Sequence, residues 1–248
     1  MRYVPFPVGY IWAALAIAIV AGFAIGAYLA FVIGYGFPLG AGFSSLIQTH
    51  GHLQLVGWAG LFIMGVSLHF LPRLASVPLP SPRRIDRVLW LMATGLFLRA
   101  LGQTMLPSLL GSPLFVPLRW LVVLSGVLEG WGILLYLSLL MGTLRGSGEV
   151  SLQPAFRSVR PYFGMMVAGW ILYAGLNILL LLSMALQSRI VVDPAWNEWA
   201  LQIFIHLVLL PMAFAHSVRL FPLFLALAAP DWPVRGTAYA YLLSVGLQ

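Results

Sequence analysis

The stretch Gln48-Thr49-His50-Gly51-His52 opens a long apolar run and carries two side chains that can bind a metal. Neutral imidazole is a good axial ligand for haem iron and also suits copper. Polar groups are costly in hydrocarbon, so histidines inside a membrane span usually mark a functional site. The chain has five histidines. Four lie inside predicted spans and the fifth ends one: His50, His52, His206, His216 and His69.

Helix geometry separates the two neighbouring histidines. Successive helical residues are ~100° apart, so His50 and His52 diverge by about 200° and do not bind one metal ion together. Either each ring faces its own site, or one faces a site while the other faces water, a lipid headgroup or a neighbouring helix. The alternative to ligation is an interfacial pair that is hydrogen-bonded to loop carbonyls.

The composition is that of an integral membrane protein. Hydrophobic residues make up 61% of the chain and charged residues 8%, and the mean hydropathy is +0.98. The chain has no cysteine, which excludes disulfides, thiolate ligands, cysteine-held iron–sulfur clusters and covalently attached haem c. Its 13 basic residues are all arginines, most of which lie in short loops between spans or near span ends, and they form no continuous face, so we expect no nucleic-acid partner.

Apolar runs predict an all-α, polytopic transmembrane helical bundle that forms a single domain over residues 1–248. The six complete spans are expected at roughly 9–36, 48–71, 86–106, 115–142, 162–186 and 199–228, with a short or partial seventh after Arg235. The first run is too long for a cleaved signal peptide. Pro72 and Pro222 each end an aromatic-rich span, and Pro80 and Pro230 follow at the same separation, which predicts an internal repeat of four helices.

Arginine placement predicts the orientation. Arginines gather in the loops after spans two and four, which favours a cytoplasmic N-terminus in the inner membrane of a bacterium or archaeon. His50 and His52 then lie near the outer face of the membrane, and His206 lies at a similar depth. His216 is about 15 Å deeper at ~1.5 Å rise per residue.

Three further polar positions are candidates. Glu129 falls in the middle of an apolar span, where a carboxylate suits a proton relay, a ligand contact or a packing hydrogen bond. Arg99 and Arg119 are suited to bind a haem propionate. Arg99 alternatively snorkels to the membrane surface or pairs with Glu129.

The remaining histidines are weaker candidates for a metal. His206 is either a ligand or a bundle histidine hydrogen-bonded to Gln202 or Asn177 across helices. His216 is a further candidate metal ligand, and His69 is explained as a residue at a helix end near the basic interface. The predicted metal set is therefore His50, His206 and His216.

Residues 48–73 resemble the second transmembrane helix of the haem-copper oxidase superfamily catalytic subunit, nearest the nitric-oxide-reductase and NnrS-type branch. The residues that carry the resemblance are Thr49-His50-Gly51, Trp58, Gly60, Gly65 and Leu71-Pro72. The resemblance implies that His50 is an axial ligand of a low-spin haem b. It also implies that His206 binds copper or non-haem iron, and that the glycines let helices approach or leave room for a flat cofactor.

The resemblance also has departures. The family places further histidines on its seventh and tenth helices, whereas this chain ends in or before a seventh span, as the N-terminal part of a longer twelve-helix domain would. A second axial ligand must come from His206, from another histidine, from a partner chain or from residues beyond the end. The implied activity is electron transfer or oxygen or nitric oxide chemistry at haem, as a reductase subunit if catalytic.

Two other classes of function fit the same residues. One is a non-enzymatic transporter of a transition metal or of protons, in which the histidines bind the cargo. The other is a structural or assembly subunit of a respiratory complex, with structural histidines. Membrane lipids, other respiratory subunits and a second copy of the chain are the expected partners.

Overall fold

Seven helices form one bundle in a computed structural model, which describes residues 5–75, 77–79, 81, 83–146, 154–226, 228 and 233–247. Six of the helices are long and apolar enough to cross a membrane, so the protein is an all-α integral membrane protein, as predicted. The described residues contain no strand. The seventh helix, α7 (Val234–Gly246), is short, also as predicted.

The first two helices each contain a wider, π-helical stretch. Helix α1 runs Val8–Ala16, Ile17–Phe23 and Ala24–Tyr35, and α2 runs Ala41–His52, Leu53–Gly60 and Leu61–Leu74, where the middle segment of each is π-helical. The two π segments pack against each other. Such widened turns are frequent at functional sites, and the one in α2 begins directly after His52.

The remaining spans are α3 (Arg84–Met105), α4 (Phe115–Gly146), α5 (Pro154–Leu186) and α6. Helix α6 consists of Pro194–Ile203, the π segment Phe204–Leu209 and Leu210–Phe224. Asp193 caps it by accepting hydrogen bonds from the backbone N–H groups of Ala195 and Trp196. A turn of 3₁₀ helix (Leu106–Leu109) extends α3.

Three spans, α2, α5 and α6, begin at least five residues earlier than predicted, and the differences in α2 and α6 change the positions of histidines along their helices. Helix α2 begins at Ala41 instead of residue 48, so His52 ends a twelve-residue segment and lies about 17 Å along the helix. The predicted position of His50 and His52 near the membrane surface stays a prediction, because α2 is longer than the ~30 Å hydrocarbon core and its first residue does not mark the membrane surface. Hydropathy underestimates the start of α2 because this segment contains polar residues. The side chains of Ser45, Gln48 and Thr49 are all hydrogen-bonded inside the bundle.

The sixth span also starts earlier, at Pro194, and its helix ends at Phe224 rather than at residue 228. His206 and His52 keep similar distances from the starts of their helices. The predicted four-helix repeat rests partly on Pro80 and Pro230, which lie outside the described residues, and it stays a prediction.

Helix α2 lies at the centre of the bundle. In its most apolar part 61% of the residues are buried, against 22% in α1, whose outer face presents large apolar side chains as a lipid-facing helix does. Helices α1, α3 and α6 pack around α2, while α5 contacts α4, α6 and α7. This arrangement brings polar side chains of α2, α3, α4 and α5 together inside the bundle.

Candidate functional site

The two histidines of α2 point to different neighbours, as helix geometry predicted. The Nδ1 atom of His50 lies 2.8 Å from the carbonyl oxygen of Gly22 on α1. The Nδ1 atom of His52 lies 3.0 Å from the hydroxyl of Tyr173 on α5, and its Nε2 lies 2.9 Å from Glu129 Oε2 on α4. His52 therefore belongs to a cluster at the junction of three helices, and His50 does not.

The His52 cluster, which consists of His52, Glu129, Tyr173 and Arg99, is closed to solvent and lipid. The exposed fractions of these residues are 3%, 0%, 1% and 1%, respectively. Burying two ionisable groups so completely is expensive unless they compensate each other's charge. The Arg99 guanidinium acts electrostatically on both Glu129 and Tyr173. The sequence alternative in which Arg99 snorkels to the membrane surface is therefore wrong.

The contact between His52 and Glu129 is close but not aligned as a hydrogen bond. Among the described residues, His52 Nε2 and both carboxylate oxygens of Glu129 have no hydrogen-bond partner. Buried polar atoms almost always find such partners, so a cluster of three unpartnered atoms needs a specific explanation. A proton shared between His52 Nε2 and Glu129 Oε2 would account for two of these three atoms.

A second layer of polar side chains fixes Arg99. Its Nε donates to Gln103 Oε1, one turn along α3, and its Nη1 lies 3.4 Å from Asn177 Oδ1 on α5. Gln103 Nε2 in turn donates to Gln48 Oε1 at 3.0 Å. Asn177 thus binds Arg99, and it does not bind His206 as one reading of the sequence proposed.

The network continues to one end of the bundle. The backbone N–H of Val192, which lies just before α6, donates to Gln48 Oε1 at 3.0 Å, and Gln48 Nε2 donates to the Val192 carbonyl at 2.7 Å. Ser45 Oγ donates to the Gln103 carbonyl at 2.5 Å. Hydrogen-bonding groups therefore run from Arg99 to the loop between α5 and α6.

Small residues let the helices close around Glu129. A Cβ atom on Gly95 of α3 would lie 2.7 Å from Glu129 Cγ and 2.9 Å from the Ser125 carbonyl oxygen. On α4, a Cβ on Gly126 would lie 2.6 Å from Leu181 of α5. Because these positions are glycines, α3 and α5 approach α4 closely on both sides of the carboxylate.

The face of α2 that bears His50 packs on glycines of α1. A Cβ on Gly22 would lie 2.6 Å from Gln54 Nε2, and one on Gly26 would lie 2.7 Å from His50 Cε1. His50 is half-buried, and the amide atoms of Gln54 are buried without a partner among the described residues. On this face the partner of His50 is a backbone carbonyl, and the described contacts of His50 include no charged side chain.

The other predicted ligands lie apart from both faces. His206 Nδ1 lies 3.0 Å from the carbonyl of Gln202 in its own helix, and the ring lines a peripheral cavity of about 440 Å³ with Glu198 and Trp199. His216 Nδ1 lies 2.8 Å from the Met212 carbonyl. The predicted metal ligands therefore form no common centre, and no group of three His, Cys, Asp or Glu side chains suited to a metal occurs in the described part of the chain.

Arg119 and His69 also lie outside the cluster. The Arg119 guanidinium lies 5.3 Å from the ring centroid of Phe115, one turn earlier on α4, and its Nε and Nη1 have no hydrogen-bond partner among the described residues. His69 Nδ1 lies 3.0 Å from Nη1 of Arg73 at the end of α2. The prediction of His69 as a residue at the helix end agrees with this position.

The structure offers only a partial fit to haem. The hydrogen bond from His50 Nδ1 to Gly22 would leave Nε2 as the coordinating atom, which is usual for an axial histidine. However, other side chains occupy the space beside the glycines that were expected to leave room for a flat cofactor. Added Cβ atoms on Gly57, Gly60 and Gly65 would lie 2.7, 3.1 and 2.8 Å from Ile17, Trp170 and Tyr10, respectively.

A pair of axial histidines is not assembled either. Helix α1, which His50 faces, contains no histidine, and His52 is engaged by α4 and α5. The described residues thus do not enclose a haem between two histidines of this chain.

Sequence reasoning found His52, Glu129 and Arg99 but missed Tyr173 as their partner. Tyr173 and Asn177 are one helical turn apart in an otherwise apolar span, so both lie on the same face of α5. That spacing is the signal that could have placed α5 at the site. The contacts of His52 with Tyr173 and Glu129 are seen only when α2, α4 and α5 are packed together.

Comparisons with protein-family models, curated proteins and solved structures gave no match to this chain. The resemblance to haem-copper oxidases therefore stays a prediction from residues 48–73.

Proposed function

We propose that this protein exchanges protons inside the membrane, as a non-enzymatic transporter or relay, through His52, Glu129 and Tyr173. The observation that carries this proposal is the 2.9 Å contact between His52 Nε2 and Glu129 Oε2 in a fully buried position. Ionisable side chains inside membrane proteins commonly serve as proton relays, and histidine and carboxylate are the usual members. The proposal chooses one of the two alternatives to haem chemistry that the sequence left open.

The cluster can hold and release one proton at low electrostatic cost. A protonated His52 with an ionised Glu129 has the same net charge as a neutral His52 with a protonated Glu129. The proton can therefore move between Nε2 and Oε2 without changing the charge of the pair. When it leaves the pair, Glu129 stays ionised, and the fixed positive charge of Arg99 compensates it.

Tyr173 holds the imidazole in place for this exchange. Its hydroxyl oxygen lies 3.0 Å from His52 Nδ1, so an Nδ1–H that donates to it leaves Nε2 as the atom that takes and releases the proton beside Glu129. The side chains of Arg99, Gln103 and Gln48 then lead toward Val192 at one end of the bundle. We propose that protons reach the cluster from this end.

The orientation follows from the arginines. Arg145 ends α4, and Arg157 and Arg160 lie in the first turns of α5, all at the end of the bundle opposite Val192. By the positive-inside rule this end faces the cytoplasm, so we propose that Val192 faces the outside of a bacterial or archaeal inner membrane and that the N-terminus is cytoplasmic. Protons would then enter from the outer side.

The test is proton flux into liposomes that contain the purified protein and a pH-sensitive dye. A potassium gradient with valinomycin supplies the driving force. We expect wild-type vesicles to acidify faster than empty vesicles and Glu129→Gln vesicles to acidify at the empty-vesicle rate. His50→Gln is the matched control, because it removes an imidazole from the other face of α2. This variant should keep the wild-type rate.

Two outcomes would contradict the proposal. One is wild-type vesicles that acidify no faster than empty ones, which would favour a structural or assembly role. The other is an equal loss in His50→Gln and Glu129→Gln, which would show that the flux does not pass through the cluster. The same vesicles, loaded with a metal-sensitive dye and given external zinc or copper, test transport of a transition metal.

Haem b ligation by His50 is the second candidate. It is favoured by the Gly22 carbonyl that would set the tautomer of His50, and it needs the second ligand from a partner chain or from residues outside this bundle. A reduced-minus-oxidised spectrum of the purified protein tests it. A low-spin haem spectrum that His50→Ala abolishes and His52→Ala preserves would support it, while a colourless and folded preparation would exclude it.

A further inference from the structure

Four arginines from three helices meet at a cavity on the end of the bundle opposite Val192. Arg145 comes from the end of α4, Arg157 and Arg160 come from the start of α5, and Arg235 comes from the start of α7. The cavity has a volume of about 610 Å³. The described residues that line it include no carboxylate. Arginines in inner loops are expected from the positive-inside rule, but that rule does not require them to converge on one cavity.

The short helix α7 builds one wall of this cavity. Arg235 Nε donates to the carbonyl of Arg157 at 2.8 Å, and the hydroxyl of Tyr162 lies 3.0 Å from Thr237 Oγ1. Val234 is 6% exposed and Ala238 is fully buried. These contacts fix α7 against α5, so the guanidinium of Arg235 is held on the same side as the arginines of α5.

The inner walls of the cavity are apolar. Below the arginines it is lined by aliphatic and aromatic side chains of α2, α4 and α5, among them Leu71, Leu140, Phe163 and Met166. Its ligand should therefore be amphipathic, with a multiply charged anionic head and a hydrocarbon body. A soluble anion would use the arginines and leave the apolar walls without a partner.

We propose that this cavity binds an anionic phospholipid, with the phosphate groups on the arginines and an acyl chain along the apolar wall between α4 and α5. Arginine recognises phosphate with two parallel hydrogen bonds, and basic pockets between transmembrane helices are suited to lipid headgroups. A lipid with two phosphates, such as cardiolipin, makes the fullest use of four arginines. The site is separate from the His52 cluster and does not depend on proton exchange.

The test is a lipid titration of the purified protein in detergent, with binding measured by native mass spectrometry and by the rise in Tm. The probes are cardiolipin, phosphatidylglycerol, phosphatidylcholine and inorganic phosphate. We expect cardiolipin to bind more tightly than phosphatidylglycerol, and phosphatidylcholine to leave Tm unchanged. Arg145→Gln/Arg160→Gln should weaken cardiolipin binding roughly 25-fold, at roughly fivefold per arginine.

The matched control is Arg83→Gln/Arg84→Gln, which removes two exposed arginines from the same end of the bundle. It should bind cardiolipin as the wild type does. An equal weakening in both double variants would overturn the proposal in favour of general surface attraction. A full rise in Tm with inorganic phosphate alone would overturn it in favour of a soluble anion.

A charge-conserving variant keeps the test informative if the glutamine variant does not fold. Arg145→Lys/Arg160→Lys retains both charges but loses the two-pronged hydrogen bonding of the guanidinium. We expect it to bind cardiolipin with an affinity between those of the wild type and the glutamine variant. Wild-type affinity in this variant would contradict recognition of the phosphate by the guanidinium groups.

Discussion

The two faces of α2 carry the same kind of side chains in different surroundings. On one face His50 and Gln54 lie against glycines of α1, with a backbone carbonyl as the partner of the imidazole. On the other face His52 lies among Glu129, Tyr173 and Arg99 of three other helices. Only the second face combines an imidazole with a group that can take its proton. Residue type therefore does not decide which histidine does chemistry; the neighbouring helices do.

Among the substitutions that compare the two faces of α2, removing the buried cation Arg99 should have the largest effect on stability. Arg99→Met leaves the Glu129 carboxylate without its compensating charge, which we expect to cost about 3–5 kcal/mol of stability. The measurement is the Tm and the free energy of unfolding in detergent. Adding Glu129→Gln should restore much of the loss, since the uncompensated charge then disappears.

The matched change on the other face of α2 is Gln54→Met. In the part of the chain that the structure describes, both amide atoms of Gln54 are buried without a hydrogen-bond partner, so replacing them with an apolar side chain of similar size should be neutral or stabilising. If Gln54→Met and Arg99→Met destabilise equally, the two faces do not differ as described. An Arg99→Met protein as stable as the wild type would show that Glu129 is not charged in the bundle.

The next largest loss of stability is expected when a side chain is added at Gly95, where α3 packs closely against Glu129. Gly95→Ala should cost about 1–3 kcal/mol, because its Cβ meets the backbone carbonyl of Ser125 as well as Glu129 Cγ. Gly26→Ala on the other face should cost less, because the atom it meets belongs to the movable ring of His50. Unfolding measurements on the two variants compare the rigidity of the two faces.

Gly34→Ala on α1 is the control for these substitutions. Among the described residues outside its own stretch of helix, no atom lies within 4 Å of a Cβ at Gly34, so this variant should gain up to about 1 kcal/mol from the better helix propensity of alanine. Gly95→Ala stability equal to that of Gly34→Ala would mean that α3 and α4 separate easily around Glu129.

The smallest effect should come from the hydroxyl of Tyr173. Tyr173→Phe removes the partner of His52 Nδ1 and should cost about 1 kcal/mol. The imidazole then loses its preferred tautomer, so the ¹⁵N chemical shifts of His52 should change while those of His50 stay constant. Proton flux should fall but not vanish, since Glu129 remains next to Nε2. Unchanged His52 shifts in Tyr173→Phe would exclude the hydrogen bond.

Much of the fold could be predicted from the sequence, because long apolar runs and arginine-rich loops report directly on membrane spans. The predictions failed where polar residues lie inside a span. Ser45 lies before the predicted span, which starts at residue 48, yet it is helical, and its hydroxyl donates to the Gln103 carbonyl inside the bundle. A sequence pattern treats a polar residue as exposed and contains no information about a partner more than fifty residues away.

Hydropathy and the 100° helical step are local properties, so the amino-acid sequence alone establishes a helical membrane protein with two histidines on opposite sides of one span. Which histidine gains a carboxylate depends on how the helices pack. His52, Glu129 and Tyr173 are far apart in the chain, and their contact depends on how closely α4 and α5 approach α2. That approach depends on Gly95 and Gly126, whose effect appears only when the helices are packed.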